Sequence, residues 1–214
     1  MQLFSYFRSS AAYRVRIALN LKGLPYDYKP VHLLKDGGQQ LSEGYRALNP
    51  AALVPTLVDG DHVIGQSLAI IEYLDETHPA TPLLPATPAE RARVRAIALS
   101  IACDTHPLNN LRVLKYLKHE VKADEEAKNA WYRHWVDTGL AAVESMLANS
   151  SETGRFCHGD TPTLADLCLV PQVFNARRFG CDLSAMPTIL RIDEACNALP
   201  AFQKAAPENQ PDAE

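Results

Sequence analysis

The order of apolar and polar residues predicts alternating strands and helices at the start of the chain. An apolar run at residues 1–7 is short enough for a strand. From Ser10 the apolar residues recur at three- and four-residue steps up to Gly23-Leu24-Pro25, which predicts a helix and its end. Residues 26–31 alternate like a second strand. Strand, helix and strand in this order indicate an α/β domain.

The pattern over residues 48–79 predicts a hairpin followed by a helix. Two β-rich runs flank Asp59-Gly60-Asp61, and an Asp-Gly pair between such runs favours a hairpin turn. The polar, glycine-bearing residues 34–44 before it are predicted to be a loop. After the hairpin, Ser67 precedes an amphipathic run and is predicted to be the N-cap of a helix that ends before Pro79.

Beyond residue 86 the patterns are helical. The proline-dense residues 79–86 are predicted to be a linker between an α/β domain at residues 1–80 and an all-helical domain at residues 87–214. Thr87-Pro88-Ala89-Glu90 is a capping box with proline at the first helical position. The helix that this box opens is predicted to carry Cys103, His106, Asn110 and Arg112.

Further helices complete the predicted helical domain. A long helix is expected at residues 124–148, and Thr163-Leu164-Ala165-Asp166 is a second capping box that opens another helix. Asp166 is therefore interpreted as a helix-start carboxylate and not as a catalytic one. One short helix is predicted after Pro187, and residues 207–214 are predicted to be disordered.

The turn before the first helix holds the candidate chemistry. Ser9 and Ser10 stand where the first N–H groups of a helix are unpaired and its dipole is positive, so an anion or a thiolate is stabilised there. Half-ionising a thiol at pH 7 needs about 2 kcal/mol, which a helix terminus and a hydroxyl supply together. The turn has no cysteine, so a thiolate must arrive with a ligand. The alternative is that a serine only caps the helix.

Two later positions could bind the same ligand. Pro55 precedes a strand either for its fixed φ or for a cis peptide bond, and a cis bond would leave the Val54 backbone free to pair with an extended ligand. The helix that begins near Ser67 could hold a free carboxylate at its terminus.

Composition and charge exclude several function classes. A net charge of −4 argues against a protein that binds nucleic acid or an anionic membrane, which needs a basic face. No run approaches the about 18 apolar residues of a membrane span, and no charged-then-apolar leader is present. The five cysteines have neither Cys-x-x-Cys nor metal-site spacing, so we expect no metal and a reduced, cytoplasmic compartment.

Four motifs carry a family resemblance. They are Arg8-Ser9-Ser10 with residues 14–19, Val54-Pro55-Thr56-Leu57, residues 66–74 and residues 165–173. With them, nearly the whole chain resembles the glutathione transferase superfamily, and within it the zeta class, which includes maleylacetoacetate and maleylpyruvate isomerases. The resemblance implies a thioredoxin-like N-terminal domain, an all-α C-terminal domain, a homodimer and glutathione as cofactor.

The resemblance also implies roles for individual residues. In the family's pattern Ser9 lies beside the glutathione sulfur, Val54 pairs with the tripeptide through its backbone, and Gln66-Ser67 holds the γ-glutamyl carboxylate. The other residues assigned to glutathione are Ser10, Ala11, Gln40, Pro55, His106, Asn110 and Arg112. The zeta pattern usually reads Ser-Ser-Cys at the turn, and Ala11 replaces that cysteine, which argues against a mechanism that uses a protein thiol.

The leading hypothesis is glutathione-dependent cis–trans isomerisation of a maleyl diketo acid, with maleylacetoacetate ahead of maleylpyruvate. A thiolate would add to the double bond, the resulting single bond would rotate, and elimination would release the fumaryl product. Arg8, Ser9 and Ser10 are the expected catalytic residues. Arg8, Arg112 and Arg178 are the candidate cations for the substrate's carboxylates, or else solvated charges. His106 is either a ligand contact or a structural histidine.

Two other functions remain open. A conjugating or dehalogenating transferase for small α-halo acids would use the same site, but it would consume glutathione where an isomerase recycles it. A non-enzymatic interaction module would have no need of a complete glutathione site, so the presence of Ser9, Val54-Pro55 and Gln66-Ser67 counts against it.

Overall fold

A four-stranded mixed sheet forms from the β-rich runs near the start of the chain. Its strands are Gln2–Ser5 (β1), Asp27–Pro30 (β2), Thr56–Asp59 (β3) and His62–Gly65 (β4), in the order β2-β1-β3-β4. β1 pairs parallel with β2 and antiparallel with β3, and β3 pairs antiparallel with β4. The predicted hairpin is confirmed, and Gly60 has the left-handed φ of 57° that a tight Asp-Gly turn requires.

Nine α-helices accompany the sheet in this computed structural model, which describes residues 1–214. In chain order they are Ser10–Leu21 (α1), Glu43–Leu48 (α2), Ser67–Thr77 (α3), Pro88–Leu99 (α4), Leu111–His119 (α5), Glu125–Ala148 (α6), Leu164–Arg178 (α7), Pro187–Asn197 (α8) and Pro200–Ala205 (α9). None of them combines the length and the apolar composition that crossing a bilayer requires.

Contacts divide the chain into two units. The first comprises Met1–Leu83 together with Ala198–Glu214, and the second is Leu84–Asn197. The junction of the two units falls within the proline-dense residues 79–86. The C-terminal segment groups with the first unit, although the sequence pattern assigns all of residues 87–214 to one helical domain.

The core of the first unit lies around α1. Every residue of this helix from Ala12 to Leu19 is buried, and the helix packs against α3 and α9. Two of the buried side chains are cations, Arg14 and Arg16, which are only 2% and 0% exposed. A buried cation must be hydrogen-bonded, so both arginines hold other parts of this unit in place.

Both predicted capping boxes are present in the second unit. Thr87 and Glu90 exchange hydrogen bonds at the start of α4, and Thr163 and Asp166 do so at the start of α7. The Asp166 carboxylate is fully buried and also accepts the Cys157 N–H at 2.8 Å. Burial raises the pKa of Asp166, while its bonds from Cys157 and Thr163 oppose that rise. Asp166 is a structural carboxylate, as predicted.

The helix predicted to carry the residues from Cys103 to Arg112 is interrupted. α4 is followed by a π-helical turn at Ser100–Thr105 and a 3-10 turn at His106–Asn109, after which α5 begins a new helix. The prediction of one continuous helix is therefore wrong. Pro107 is the physical reason, because it has no N–H to donate to the preceding turn of an α-helix.

Three other local predictions are wrong. Residues 34–44 contain two 3-10 turns and the start of α2, where the buried Tyr45 anchors a helix that the polar pattern hides. Two short helices, α8 and α9, follow residue 187 instead of one. Residues 207–214 are not disordered, because Asp212 accepts hydrogen bonds from the backbone of Phe7 and from the Tyr28 hydroxyl.

Candidate active site

The turn between β1 and α1, residues 6–9, presents the predicted nucleophile site. Ser9 has extended backbone angles and is the N-cap of α1, so the capping interpretation is confirmed. Its Oγ accepts the Ala12 N–H at 3.2 Å, and its own N–H donates to the Tyr6 carbonyl at 2.9 Å. A hydroxyl that accepts one hydrogen bond still has its own hydrogen to donate. Capping and thiolate stabilisation are therefore compatible in this one side chain.

Ser10 and Ala11 are the first two residues of α1. Ser10 is buried and Ala11 is half-buried. Their backbone N–H groups belong to the first turn, where helix donors have no carbonyl four residues back. The terminus thus offers N–H donors and a positive dipole end to an anion.

Arg8 is held against its own turn. Its Nε and Nη2 donate to the Tyr6 hydroxyl at 3.3 and 3.0 Å, and its guanidinium carbon lies 4.9 Å from the centroid of the Phe7 ring. These partners are neutral, and the only carboxylate recorded as interacting with the charge of the half-buried Arg8 is that of the exposed Glu214. Arg8 can therefore bind an anionic group beside Ser9.

The loop before β3 has a cis peptide bond between Val54 and Pro55, which is one of the two alternatives that the sequence left open for this proline. Both residues are buried, and Val54 packs in one apolar cluster with Tyr6 and Phe7 of the nucleophile turn. The structure thus brings the Val54 loop and the Ser9 turn together within the first unit.

Tyr45 and Asn49 hold this loop, and sequence reasoning missed both. The Leu53 carbonyl accepts the Tyr45 hydroxyl at 2.7 Å and the Asn49 Nδ2 at 2.9 Å. Both side chains also bond to Thr56 Oγ1, each at 2.9 Å. Burial raises the pKa of Tyr45, so its hydroxyl remains a donor at neutral pH. The one sequence signal that could have pointed to Asn49 is a polar side chain just before a buried proline loop.

The start of α3 differs from its prediction by one residue. Gln66 is the N-cap, with a left-handed φ of 66°, and Ser67 is the first helical residue. A non-glycine residue in such a conformation costs about 1–3 kcal/mol and is commonest at ligand sites. Ser67 is buried, and its Oγ accepts Arg14 Nη1 at 3.3 Å. Sequence reasoning missed Arg14, which places a buried cation beside the terminus predicted to hold a carboxylate.

Gln40 supplies an independent sign of a ligand in the first unit. Its side chain is 8% exposed, and its amide Oε1 has no hydrogen-bond partner in the protein. A buried acceptor without a partner is costly unless a ligand donates to it. Gly38, at φ 112°, makes room for this amide, because a Cβ there would lie 2.8 Å from Gln40 Nε2.

Four predicted site residues and Cys103 belong to the second unit. His106 is half-buried in the 3-10 turn, and Asn110 caps α5 by accepting the Arg112 N–H at 3.1 Å. Arg112 and Arg178 are exposed, and the Arg178 guanidinium carbon lies 4.8 Å from the Phe179 ring centroid. Cys103 is an exposed free thiol in the π-helical turn.

Comparison with known proteins agrees with this geometry. The glutathione S-transferase N-terminal domain model matches residues 3–82. The probable maleylacetoacetate isomerase of Vibrio cholerae is 54% identical over 211 residues, which cover 99% of this chain and 97% of that protein. A holo structure of maleyl pyruvate isomerase, a bacterial zeta-class glutathione transferase, has a TM-score of 0.97 and 50% identity over 100% of both chains. The chain belongs to the zeta class of the glutathione transferases.

Another similar structure contains bound ligands. The crystal structure of maleylacetoacetate isomerase from Methylobacterium extorquens AM1 contains malonate and glutathione. It has a TM-score of 0.96 and is 44% identical to this transferase over 100% of both chains. The predicted fold class, a thioredoxin-like domain followed by a helical domain in the glutathione transferase architecture, is confirmed.

Proposed function

We propose that this transferase is a glutathione-dependent isomerase of aromatic catabolism that converts a maleyl diketo acid, maleylacetoacetate or maleylpyruvate, to its fumaryl isomer. The observation that carries the proposal is the Ser9 hydroxyl, which caps α1 and retains a hydrogen to donate at a positive helix terminus. The relatives support both substrates, since one is a probable maleylacetoacetate isomerase and another a maleyl pyruvate isomerase.

The first unit contains groups that fit glutathione. The unpartnered Gln40 Oε1 can accept from a donor of the tripeptide, and the Val54 backbone beside the cis bond can pair with its extended chain. Ser67 and the buried Arg14 suit a carboxylate. We assign glutathione binding to Ser9, Ser10, Ala11, Gln40, Val54, Pro55, Gln66, Ser67, His106, Asn110 and Arg112. Residues 1–80 would form the glutathione-binding domain and residues 87–214 the all-helical substrate-binding domain, although Ala198–Glu214 groups with the first unit.

Glutathione, when bound, supplies the thiol for reversible addition to the cis double bond. The chain's own residues would prepare that step: Ser9 would donate a hydrogen bond to the sulfur and, with the first turn of α1, would lower the free energy of a thiolate held there. Arg8 binds a substrate carboxylate and stabilises charge that develops on the neighbouring enolate. Arg112 and Arg178 are proposed for the second carboxylate.

We also propose a homodimer that works in the cytoplasm. All five cysteines are free thiols, which fits a reducing compartment. Light scattering on the purified protein tests the assembly, and a mass of one chain at micromolar concentration would contradict the dimer.

The deciding experiment follows both substrates with and without glutathione while free thiol is titrated. We expect turnover only with glutathione present, with the thiol concentration unchanged at the end. Turnover without any thiol would sink the proposal. Stoichiometric loss of thiol with α-halo acids, and no turnover of either maleyl acid, would instead identify a conjugating transferase. The ratio of kcat/KM for the two acids identifies the preferred substrate.

A further inference from the structure

The C-terminal segment of the chain reaches the nucleophile turn. α9 packs against α1, and Arg16 Nε donates to the Ala205 carbonyl at 3.0 Å. Seven residues further on, the Asp212 carboxylate accepts two hydrogen bonds, from the Phe7 N–H at 3.1 Å and from the Tyr28 hydroxyl at 2.6 Å. Phe7 directly precedes Arg8 and Ser9.

Side chains rather than the sheet hold the Phe7 backbone. β1 ends at Ser5, so the N–H and C=O of Phe7 have no strand partner. Asp212 binds the N–H, and Arg16 Nη2 donates to the C=O at 2.9 Å. Arg16 Nη1 also donates to Ser5 Oγ at 3.1 Å. Two charged side chains therefore bind both backbone polar groups of Phe7.

The electrostatics of this arrangement are complementary. Arg16 is 0% exposed, and burial lowers its pKa, while Tyr28, Tyr26, Tyr13 and, last among these groups, Asp212 oppose that change. Burial raises the pKa of Tyr28, as does its bond to Asp212, so the phenol remains protonated and donates. Removing the carboxylate would leave the Phe7 N–H and the Tyr28 hydroxyl without their acceptor.

We propose that Asp212 is a positioning residue of the reaction: by holding the Phe7 N–H it places Arg8 and Ser9 for substrate carboxylate and thiolate. The inference rests on the proposed function. It assigns a catalytic consequence to a segment that the sequence pattern marks as a disordered tail.

The test compares Asp212→Ala and Asp212→Asn with Glu208→Ala, a matched removal of an exposed carboxylate from the same segment. A misplacement of about 1 Å costs up to about 100-fold in rate, so we expect Asp212→Ala to lower kcat/KM by roughly 10- to 100-fold. The loss should appear as a higher KM for the maleyl acid and a higher apparent pKa of the bound glutathione thiol, read from its ultraviolet thiolate absorbance. Asp212→Asn keeps an acceptor oxygen, so its KM for the maleyl acid and its thiol pKa should be close to those of the wild type. Glu208→Ala should match the wild type in both quantities.

Amide hydrogen exchange of the ligand-free protein gives a readout that does not depend on activity. Exchange at residues 6–9 should rise in Asp212→Ala and not in Glu208→Ala. Faster exchange together with unchanged KM, kcat and thiol pKa would overturn the inference, and so would an Asp212→Asn variant as defective as Asp212→Ala. An inactive wild type would refute the proposed function instead, which keeps the two failures distinct.

Discussion

At the scale of single residues, the first turn of α1 shows how one hydroxyl serves structure and chemistry together. Ser9 Oγ accepts the Ala12 N–H, and the hydroxyl hydrogen points wherever an acceptor lies. A cap and a thiolate donor are not competing roles, although the sequence presents them as alternatives. The neighbouring Arg8 adds a fixed positive charge.

Ser9→Ala should lower kcat/KM on the order of 100-fold, because the thiolate loses a charge-assisted hydrogen bond. It should also cost about 1 kcal/mol of stability through loss of the cap. Ser9→Thr keeps the hydroxyl and should retain most activity. Asp124 caps α6, because its Oδ1 accepts the Ala127 N–H at 2.8 Å. Asp124→Ala removes this cap and is the stability control. If the two alanine variants are equally active, Ser9 is only a cap.

Arg8→Ala should raise KM for the maleyl acid by roughly 10- to 150-fold, because a charge-assisted pair contributes about 1.5–3 kcal/mol. Arg8→Lys keeps the charge and loses the bidentate fork, so its KM should be intermediate. Steady-state kinetics and glutathione titration calorimetry check this. An unchanged kcat/KM in Arg8→Ala would mean that Arg8 only packs on Phe7.

The five thiols should differ sharply in reactivity. Cys103 is exposed, whereas burial raises the pKa of Cys157 and Cys196, and burial with the nearby Asp137 raises the pKa of Cys181 to about 11. At pH 7.5 iodoacetamide should therefore label Cys103 first, and Cys181 should react faster as the pH rises toward 11. Mass spectrometry of digested protein reads out the order.

Alkylated protein that is cleaned of reagent and given fresh glutathione should keep most of its activity, because Ala11 stands where a reactive cysteine would be. If activity is lost, Cys103→Ala separates two causes. An active, resistant variant indicates steric blocking, whereas an inactive variant would mean that a protein thiol takes part.

At the scale of elements, the π-helical turn after α4 depends on a close approach of α6. A Cβ on Gly139 would lie 2.1 Å from Thr105 Oγ1 and 2.9 Å from its Cγ2. Thr105 Oγ1 in turn donates to the Ser100 carbonyl at 3.0 Å across the turn. Only a residue without a side chain lets the two elements meet at this point.

Gly139→Ala should therefore destabilise the protein by about 1–3 kcal/mol through overpacking, although alanine gains about 1 kcal/mol in helix propensity. Thr105→Ala in the same chain removes the colliding Oγ1 and Cγ2 atoms and should restore much of the loss. Gly44→Ala in α2, where a Cβ meets nothing within 4 Å, should leave stability equal or higher. Thermal unfolding measures the stability of each variant. A Tm of the single Gly139→Ala variant above that of the wild type would contradict the predicted overpacking.

At the scale of the whole molecule, the C-terminal segment Ala198–Glu214 belongs to the first unit, although it follows the second unit in the sequence. The contacts of Arg16 and Asp212 join α1, β2 and the C-terminal segment in one unit. The proposed glutathione contacts at Ser9, Gln40 and Ser67 also lie there. Ligand binding and the stability of this unit should accordingly be linked.

Glutathione at about 100 times its Kd should stabilise the protein by about 2.7 kcal/mol, or roughly 5–10 °C in Tm for a chain of this size. S-methylglutathione keeps the carboxylate and backbone contacts but forms no thiolate, so its effect should be smaller. Differential scanning calorimetry with each ligand measures the two shifts. Equal shifts at the same free ligand concentration would mean that Ser9 contributes nothing to the thiolate.

Local signals were enough for most strands and helices, but not for α2 or for the interruption after α4. A sequence pattern shows directly those features that depend on residues within about four positions of one another. These are the cap at Ser9, the hairpin at Gly60, the capping box at Thr87 and the extent of α6. The helix after Thr87 is shorter than its amphipathic pattern predicts, because Pro107 interrupts the α-helical hydrogen bonds. Periodicity alone predicts an α/β domain followed by a helical one, and the family resemblance adds that the first of these is thioredoxin-like.

Only the tertiary structure decided which distant groups support the site. Arg14 binds Ser67 across 53 positions and Asp212 binds Phe7 across 205, and no local pattern reports a bond between such residues. The conformation of Gln66 and the unpartnered Gln40 amide likewise depend on what surrounds them. The sequence by itself determined most helix starts, the hairpin turn and the position of the candidate nucleophile site, because their causes are local. The geometry that makes them a site came from packing, because hydrogen-bond partners of buried charges are chosen only when the chain has folded.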